Sequence, residues 1–73
     1  HILAVEDARV IQKLLSVFFS NLRCTHEIAE NGSVALDLIA KNQYNVIFMD
    51  LGLPDADGIT LTETIRKMDK YHD

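Results

Sequence analysis

Three acidic residues and one glycine carry the chemistry that this sequence can do. Glu6 and Asp7 stand together directly after the apolar run "ILAV" at 2–5, and Asp50 closes a second apolar run, "NVIFM" at 45–49. If three carboxylates converge within a few ångströms, they cannot all remain ionised unaided. Either some take up protons or a cation neutralises them. The donors are all oxygen, with no His or Cys beside them, so the expected ion is a hard one. Mg2+ fits, because it takes one or two carboxylates together with water and phosphate oxygens. A carboxylate beside such an ion can also attack a phosphoryl group, since the metal offsets charge on the phosphate oxygens. Gly52 lets the backbone approach the ion and offer its carbonyl oxygen, and Pro54 restricts Leu53 and fixes the loop that leaves the site.

The elements that must position these groups can be read from periodicity. The runs 2–5 and 45–49 are continuous and apolar, which suits strands buried on both faces at the centre of a parallel sheet. Residues 24–29, "CTHEIA", alternate Cys24, His26 and Ile28 with Thr25 and Glu27, which predicts a shorter edge strand. Val10, Ile11, Leu14, Leu15, Phe18 and Leu22 recur at helical spacing and predict an amphipathic helix over about 8–22, with Phe18 and Phe19 in and near the core. "ENGS" opens a second helix whose inner face carries Val34, Ala35, Leu38 and Ile39, with Asn42 as its C-cap. Ile59, Thr62, Ile65 and Arg66 mark a third helix running to about Met68, with Asp57 and Gly58 as its cap and turn. Strand and helix alternate three times with short connections. That order implies parallel strands, right-handed crossovers and helices on both faces of the sheet. Parallel strands end on one side, where open α/β sheets place their ligands. Glu6, Asp7 and Asp50 meet there if the first and third strands are neighbours.

Composition narrows the classes of function. The chain has 73 residues, 48% of them hydrophobic and 25% charged, and a net charge of −4. That profile is globular, and a domain this short buries only roughly 60% of its unfolded surface. The seven Lys and Arg are scattered, with Arg66 and Lys67 the one adjacent pair, so no basic face for nucleic acid is expected. No apolar stretch reaches the ~20 residues of a membrane span, so no membrane contact by this segment is expected. "HILAVED" lacks the charged and apolar regions of a signal peptide. Cys24 is the single cysteine and reads as a small buried strand residue. A reducing, cytoplasmic setting is the expectation. The first residue is His1 rather than Met, which predicts a fragment of something longer.

"ILAVED", "ENGSVALDLI" and "FMDLGLPDADGI" resemble the receiver domain of two-component response regulators, and the likeness covers essentially the whole chain. It implies a three-layer, flavodoxin-like (CheY-like) doubly wound parallel α/β sheet of which only the first three β-α units are present, so that 1–73 is a receiver domain incomplete at its C-terminus. It further implies that Asp50 accepts a phosphoryl group from a phosphohistidine on a partner, and that Glu6, Asp7, Asp50 and the Gly52 carbonyl hold Mg2+. The implied partner is a histidine kinase or a histidine phosphotransfer domain. "VED" and "MDLGLPDADG" look most like receivers attached to hybrid sensor histidine kinases. The domain would then be the cytoplasmic part of a membrane-bound kinase and would catalyse its own phosphorylation and dephosphorylation. The family's hydroxyl residue and lysine would lie beyond Asp73. The outer side of strand 45–49 would lack its usual neighbour, leaving an apolar edge that invites a homodimer. Ala8 stands where such receivers often carry Asn, and Gly52 where the family often has a larger side chain.

Other readings compete. On their own, Glu6 and Asp7 would be acids at a helix N-terminus; their match with Asp50 is what favours a site. Asp55 reads as a solvated loop acid. "DADG" suggests a calcium loop, but that pattern needs an acid at 53 and a glutamate at 64, where Leu53 and Thr64 stand. His26 reads as a surface side chain rather than a phosphoryl carrier, and His1 and His72 carry no context. The functional alternatives are a stand-alone response regulator, a non-phosphorylated interaction module on the same fold, and a Mg2+-dependent phosphatase with an aspartyl nucleophile. The last usually wants an acid two residues after the nucleophile, where Gly52 sits.

Overall fold

A computed structural model describes residues 1–50, 52–55 and 57–68. The element order is β1 (Ile2–Val5), α1 (Arg9–Asn21), β2 (His26–Ala29), α2 (Gly32–Lys41), β3 (Val46–Met49) and α3 (Gly58–Arg66). The strands form one parallel three-stranded sheet in the order β2-β1-β3. The first and third strands are therefore neighbours, as the acid site requires.

Register assigns the two faces of the sheet. Leu3 pairs with Glu27 and Ile47, and Val5 with Ala29 and Met49, so these share one face. There they join Ala35 and Ile39 of α2, Leu61 and Ile65 of α3, and Tyr44 and Leu53 in a single core. Ala4 pairs with Ile28 and Phe48 on the opposite face. The Phe19 ring of α1 packs there, 5.4 Å from that of Phe48 and 5.5 Å from that of His26.

Two expectations about packing are corrected. Phe19, not Phe18, is the buried aromatic of α1, at 1% exposure, while Val10, Leu14, Phe18 and Leu22 face outward, Val10 at 70% and Leu14 at 61%. The helix carries two adjacent apolar stripes, and it is the side with the half-buried Leu15 and Phe19 that meets the sheet. β3 is an edge, because only β1 has a strand on both sides among the described residues: the central place suggested by its apolar run is not found, whereas the open edge implied by the resemblance is, with Phe48 46% exposed. Two smaller differences follow the same logic. In α3 the buried positions are Gly58, Leu61 and Ile65, with Ile59 exposed. Cys24 precedes β2 and is half-buried.

Cys24 belongs instead to the end of α1. Its N–H donates to the Phe19 carbonyl at 2.9 Å and that of Arg23 to the Ser20 carbonyl at 3.0 Å, the paired bonds of a Schellman motif. Arg23 carries the left-handed conformation this motif needs, at φ 59°. A Cβ is disfavoured there, so Arg23→Gly is expected to stabilise the fold by about 0.5–1 kcal/mol, after allowing for the greater freedom of glycine in the unfolded chain. Urea denaturation of the two proteins measures this.

Asn42 caps α2 as expected, both its backbone N–H and its Nδ2 donating to the Leu38 carbonyl, at 2.9 and 3.1 Å. Asp57 caps α3 by accepting the Ile59 N–H at 3.1 Å. The expectations for the tail, including His72, lie outside the described residues.

Candidate functional site

The acids are placed by the ends of the sheet ladder. Glu6 N–H donates to the Ala29 carbonyl at 2.9 Å, and Asp50 N–H donates to the Val5 carbonyl at 3.0 Å. Val5 pairs with Met49, so Glu6 and Asp50 leave adjacent strands side by side. Asp7 follows in the short turn to α1. Each of the three side chains offers an oxygen within 4.8 Å of those of the others. Glu6 and Asp50 are half-buried and Asp7 is exposed, so an ion bound among them would keep access to water.

Short bonds fix the cluster. Glu6 Oε2 accepts the Ala8 N–H at 3.1 Å, at the N-cap of α1, which has no side-chain cap of its own. The Glu6 carbonyl accepts Gln12 Nε2 at 2.7 Å, so the first turns of α1 hold its backbone. Asp50 Oδ1 accepts the Gly52 N–H at 2.9 Å, which turns the chain tightly beside the carboxylate. A Cβ added to Gly52 would lie 3.6 Å from Asp50 Oδ1, an ordinary contact. No glycine has a positive φ among the described residues, so the backbone here does not demand glycine.

The electrostatics are those of crowded negative charge. For Glu6 the Ala8 N–H pulls the pKa down. Burial, together with hydrogen bonding and charge from Asp50 and hydrogen bonding from Asp7, outweighs it, and the carboxyl titrates above its ordinary 4.5. Asp50 moves the other way, below its ordinary 3.8, chiefly because the Gly52 N–H stabilises the carboxylate against the desolvation that opposes it. A cation must displace any proton on Glu6. Divalent-cation affinity is therefore expected to weaken as pH falls through a window that begins above 4.5, while Asp50 stays ionised. Titrations at about pH 7 and pH 5 check this, and equal affinity at the two would mean that Glu6 is not a ligand.

Asp55 is exposed, as expected of a loop acid, but its carboxylate is engaged. Its Oδ1 accepts the Gly32 N–H at 2.7 Å and its Oδ2 the Ser33 N–H at 3.1 Å, joining the loop after β3 to the start of α2. Those bonds, that to Gly32 foremost, lower its pKa below 3.8. The unfolded chain thus binds this proton more tightly. The stability that Asp55 contributes is present above 3.8 and is lost as pH falls through its lower folded-state value.

The histidines also differ from expectation. His26 is half-buried against Phe19, with Nδ1 3.5 Å from the Cys24 carbonyl oxygen. His1 has a context after all. Its ring stacks on Tyr44 with centroids 5.0 Å apart, Nδ1 lies 2.9 Å from Thr25 Oγ1, and Nε2 lies 3.0 Å from Glu27 Oε1. Tyr44 Oη donates to the same Glu27 oxygen at 2.8 Å. This group sits at the end of the sheet remote from the acids.

Comparison with known proteins agrees with this geometry. The family profile of the response regulator receiver domain matches residues 2–72. The chain is 35% identical to the transcription factor SKN7 of Saccharomyces cerevisiae over 94% of its own length and 11% of that protein. It is 31% identical to the hybrid signal transduction histidine kinase K of Dictyostelium discoideum, over 97% of its length and 6% of that protein. It therefore spans only a small part of the curated relatives it matches. Among solved structures, the response regulator TrrA of Thermotoga maritima in complex with Mg(2+)-BeF superposes with a TM-score of 0.89 at 30% identity, covering 94% of this chain and 60% of that one. No helix among the described residues is long and apolar enough to cross a membrane.

Proposed function

Because the chain belongs to the response regulator receiver domain family of two-component signalling, we propose that it takes a phosphoryl group from phosphohistidine onto Asp50, with Mg2+ held by Glu6, Asp7, Asp50 and the Gly52 carbonyl. The observation that carries this reading is the convergence of three carboxylates at the ends of two adjacent parallel strands. The donor set fits the ion: it is all oxygen and partly open to water, and it is crowded enough to raise the Glu6 pKa. The structural relative that binds Mg(2+)-BeF supports the same choice. Bound Mg2+ would offset negative charge on the phosphoryl oxygens.

The protein's own groups account for the rest. The Gly52 N–H holds one oxygen of Asp50 and fixes the orientation of the carboxylate, which is ionised at neutral pH and so able to act as the nucleophile. Its oxygen forms the new bond to phosphorus as the phosphorus–nitrogen bond of the donor breaks. The imidazole leaves with that electron pair, and Asp50 becomes an acyl phosphate. Water attacking phosphorus then restores the carboxylate and releases inorganic phosphate; alternatively, a second histidine takes the group onward.

We place the domain in the cytoplasm, within a hybrid sensor histidine kinase, with a histidine kinase or histidine phosphotransfer domain as its partner; the hybrid kinase relative supports that parentage. The likeness to a transcription factor favours a stand-alone response regulator as the second reading. The exposed β3 edge with Val46 and Phe48 supports pairing with another copy of the chain wherever nothing else covers that edge. Incubating the protein with acetyl phosphate and Mg2+, then measuring intact mass, tests the phosphoacceptor reading. One added phosphoryl group, lost when a chelator replaces the metal, is the expected result. Equal labelling with and without chelator contradicts it.

A further inference from the structure

We propose that Asp55 is a positioning residue for the magnesium pocket: by clamping the first turn of α2, its carboxylate holds the loop that seats Gly52 against Asp50. The inference rests on the function proposed above and adds a residue to it. A helix leaves its first N–H groups without partners inside the helix. In α2 the Asn31 side chain takes the Val34 N–H at 2.9 Å, the ordinary local cap. The Gly32 and Ser33 N–H groups are instead taken by the two oxygens of Asp55, 23 and 22 residues away in sequence. A carboxylate is well suited to that place, being an anion at the positive end of the helix dipole with both oxygens engaged.

What the clamp holds is the segment that leaves the phosphoacceptor. Asp50 and Gly52 are bonded to each other at one end, and Asp57 begins α3 at the other. Between them Leu53 is buried in the core, and Asp55 ties the backbone sideways to α2, itself packed on β1 and β2. Gly52 is three positions from Asp55, so a shift at the clamp is passed to it through the short segment of Leu53 and Pro54. Metal pockets depend on such supporting bonds nearly as much as on their ligands. Coupling between the two is also reciprocal: a clamp that favours the metal must be favoured by it.

The test uses the protein that carries this chain. Asp55→Ala is expected to weaken Mg2+ binding by about tenfold, measured calorimetrically. Asp55→Asn keeps an oxygen for Gly32 but turns an N–H group toward that of Ser33, and should show a smaller, measurable loss. Asp37→Ala, which removes an exposed charge elsewhere on α2, should bind Mg2+ as the parent does. A second readout needs no phosphoryl transfer. Mg2+ should slow hydrogen exchange at the Gly32 and Ser33 amides in the parent and cease to do so in Asp55→Ala.

Unchanged Mg2+ affinity in Asp55→Ala overturns the proposal, and so does metal-dependent protection of those amides that persists in that variant. If Asp55→Ala does not fold, a folded Asp55→Asn with the parent's affinity overturns it equally. Failure of the unsubstituted protein to bind Mg2+ overturns the function reading itself, so the two failures are told apart by the parent alone.

Discussion

Asp50→Asn is expected to abolish phosphoryl labelling by acetyl phosphate and by a phosphohistidine donor, with a loss of at least about 100-fold, the scale on which removing an activated nucleophile acts. The change is nearly isosteric, and the side-chain oxygen can still accept the Gly52 N–H that now reaches Asp50 Oδ1 at 2.9 Å. The fold should therefore survive, and the loss should be chemical: an amide neither carries the negative charge nor attacks phosphorus. The cluster also loses one of its three charges, so the Glu6 pKa, raised in part by Asp50, should fall back toward 4.5. Intact-mass spectrometry reads the labelling and carboxyl NMR reads the pKa. Labelling at the parent's rate would place the phosphoacceptor elsewhere.

The second large effect concerns stability. Phe19→Ala is expected to cost about 3–5 kcal/mol, the range for removing a buried aromatic ring. Stabilities of about 0.05–0.15 kcal/mol per residue leave a domain of this size little beyond that. Phe19 is the one large fully buried side chain among the described residues on the sheet face opposite α2 and α3, where it packs against the rings of Phe48 and His26. Val17→Ala, on the outward side of the same helix, should change stability by no more than about 0.5 kcal/mol. Urea denaturation of the two variants compares them. Equal costs would mean that α1 meets the sheet through a different stripe.

That choice of stripe shows where the sequence is silent. Helical spacing marks residues 10, 11, 14, 15, 18, 19 and 22 as apolar, but so broad a face leaves the docking angle to the sheet, whose Ala4, Phe48 and His26 leave room for Phe19. The apolar run of β3 is uninformative for a related reason, and only the resemblance to a receiver implies its open edge. An unbroken apolar run states that a strand is suited to burial, not how many neighbours it has. What was legible rests on local rules. Short connections and alternating periods give the parallel order, acids directly after two strands give the cluster, and Asp57 and Asn42 are caps within their own turns.

Long-range polar bonds left no such trace. Asp55 reaches α2 across more than twenty residues, and His1, Glu27 and Tyr44 meet only because three segments end at one side of the sheet. Gln12 holds the Glu6 carbonyl from six residues on, a spacing that no capping pattern describes. Each needs the path of the chain before it can be seen.

Glu6, Asp7 and Asp50 must form one pocket for Mg2+ if Asp50 is to accept a phosphoryl group as proposed. Titrating the protein with Mg2+ while recording its backbone amide NMR spectrum tests this directly. Saturable shifts at millimolar ion, centred on residues 6, 7, 50 and 52 and suppressed in Asp7→Ala, are the predicted result. No saturable change there, or shifts that survive unaltered in Asp7→Ala, would contradict it.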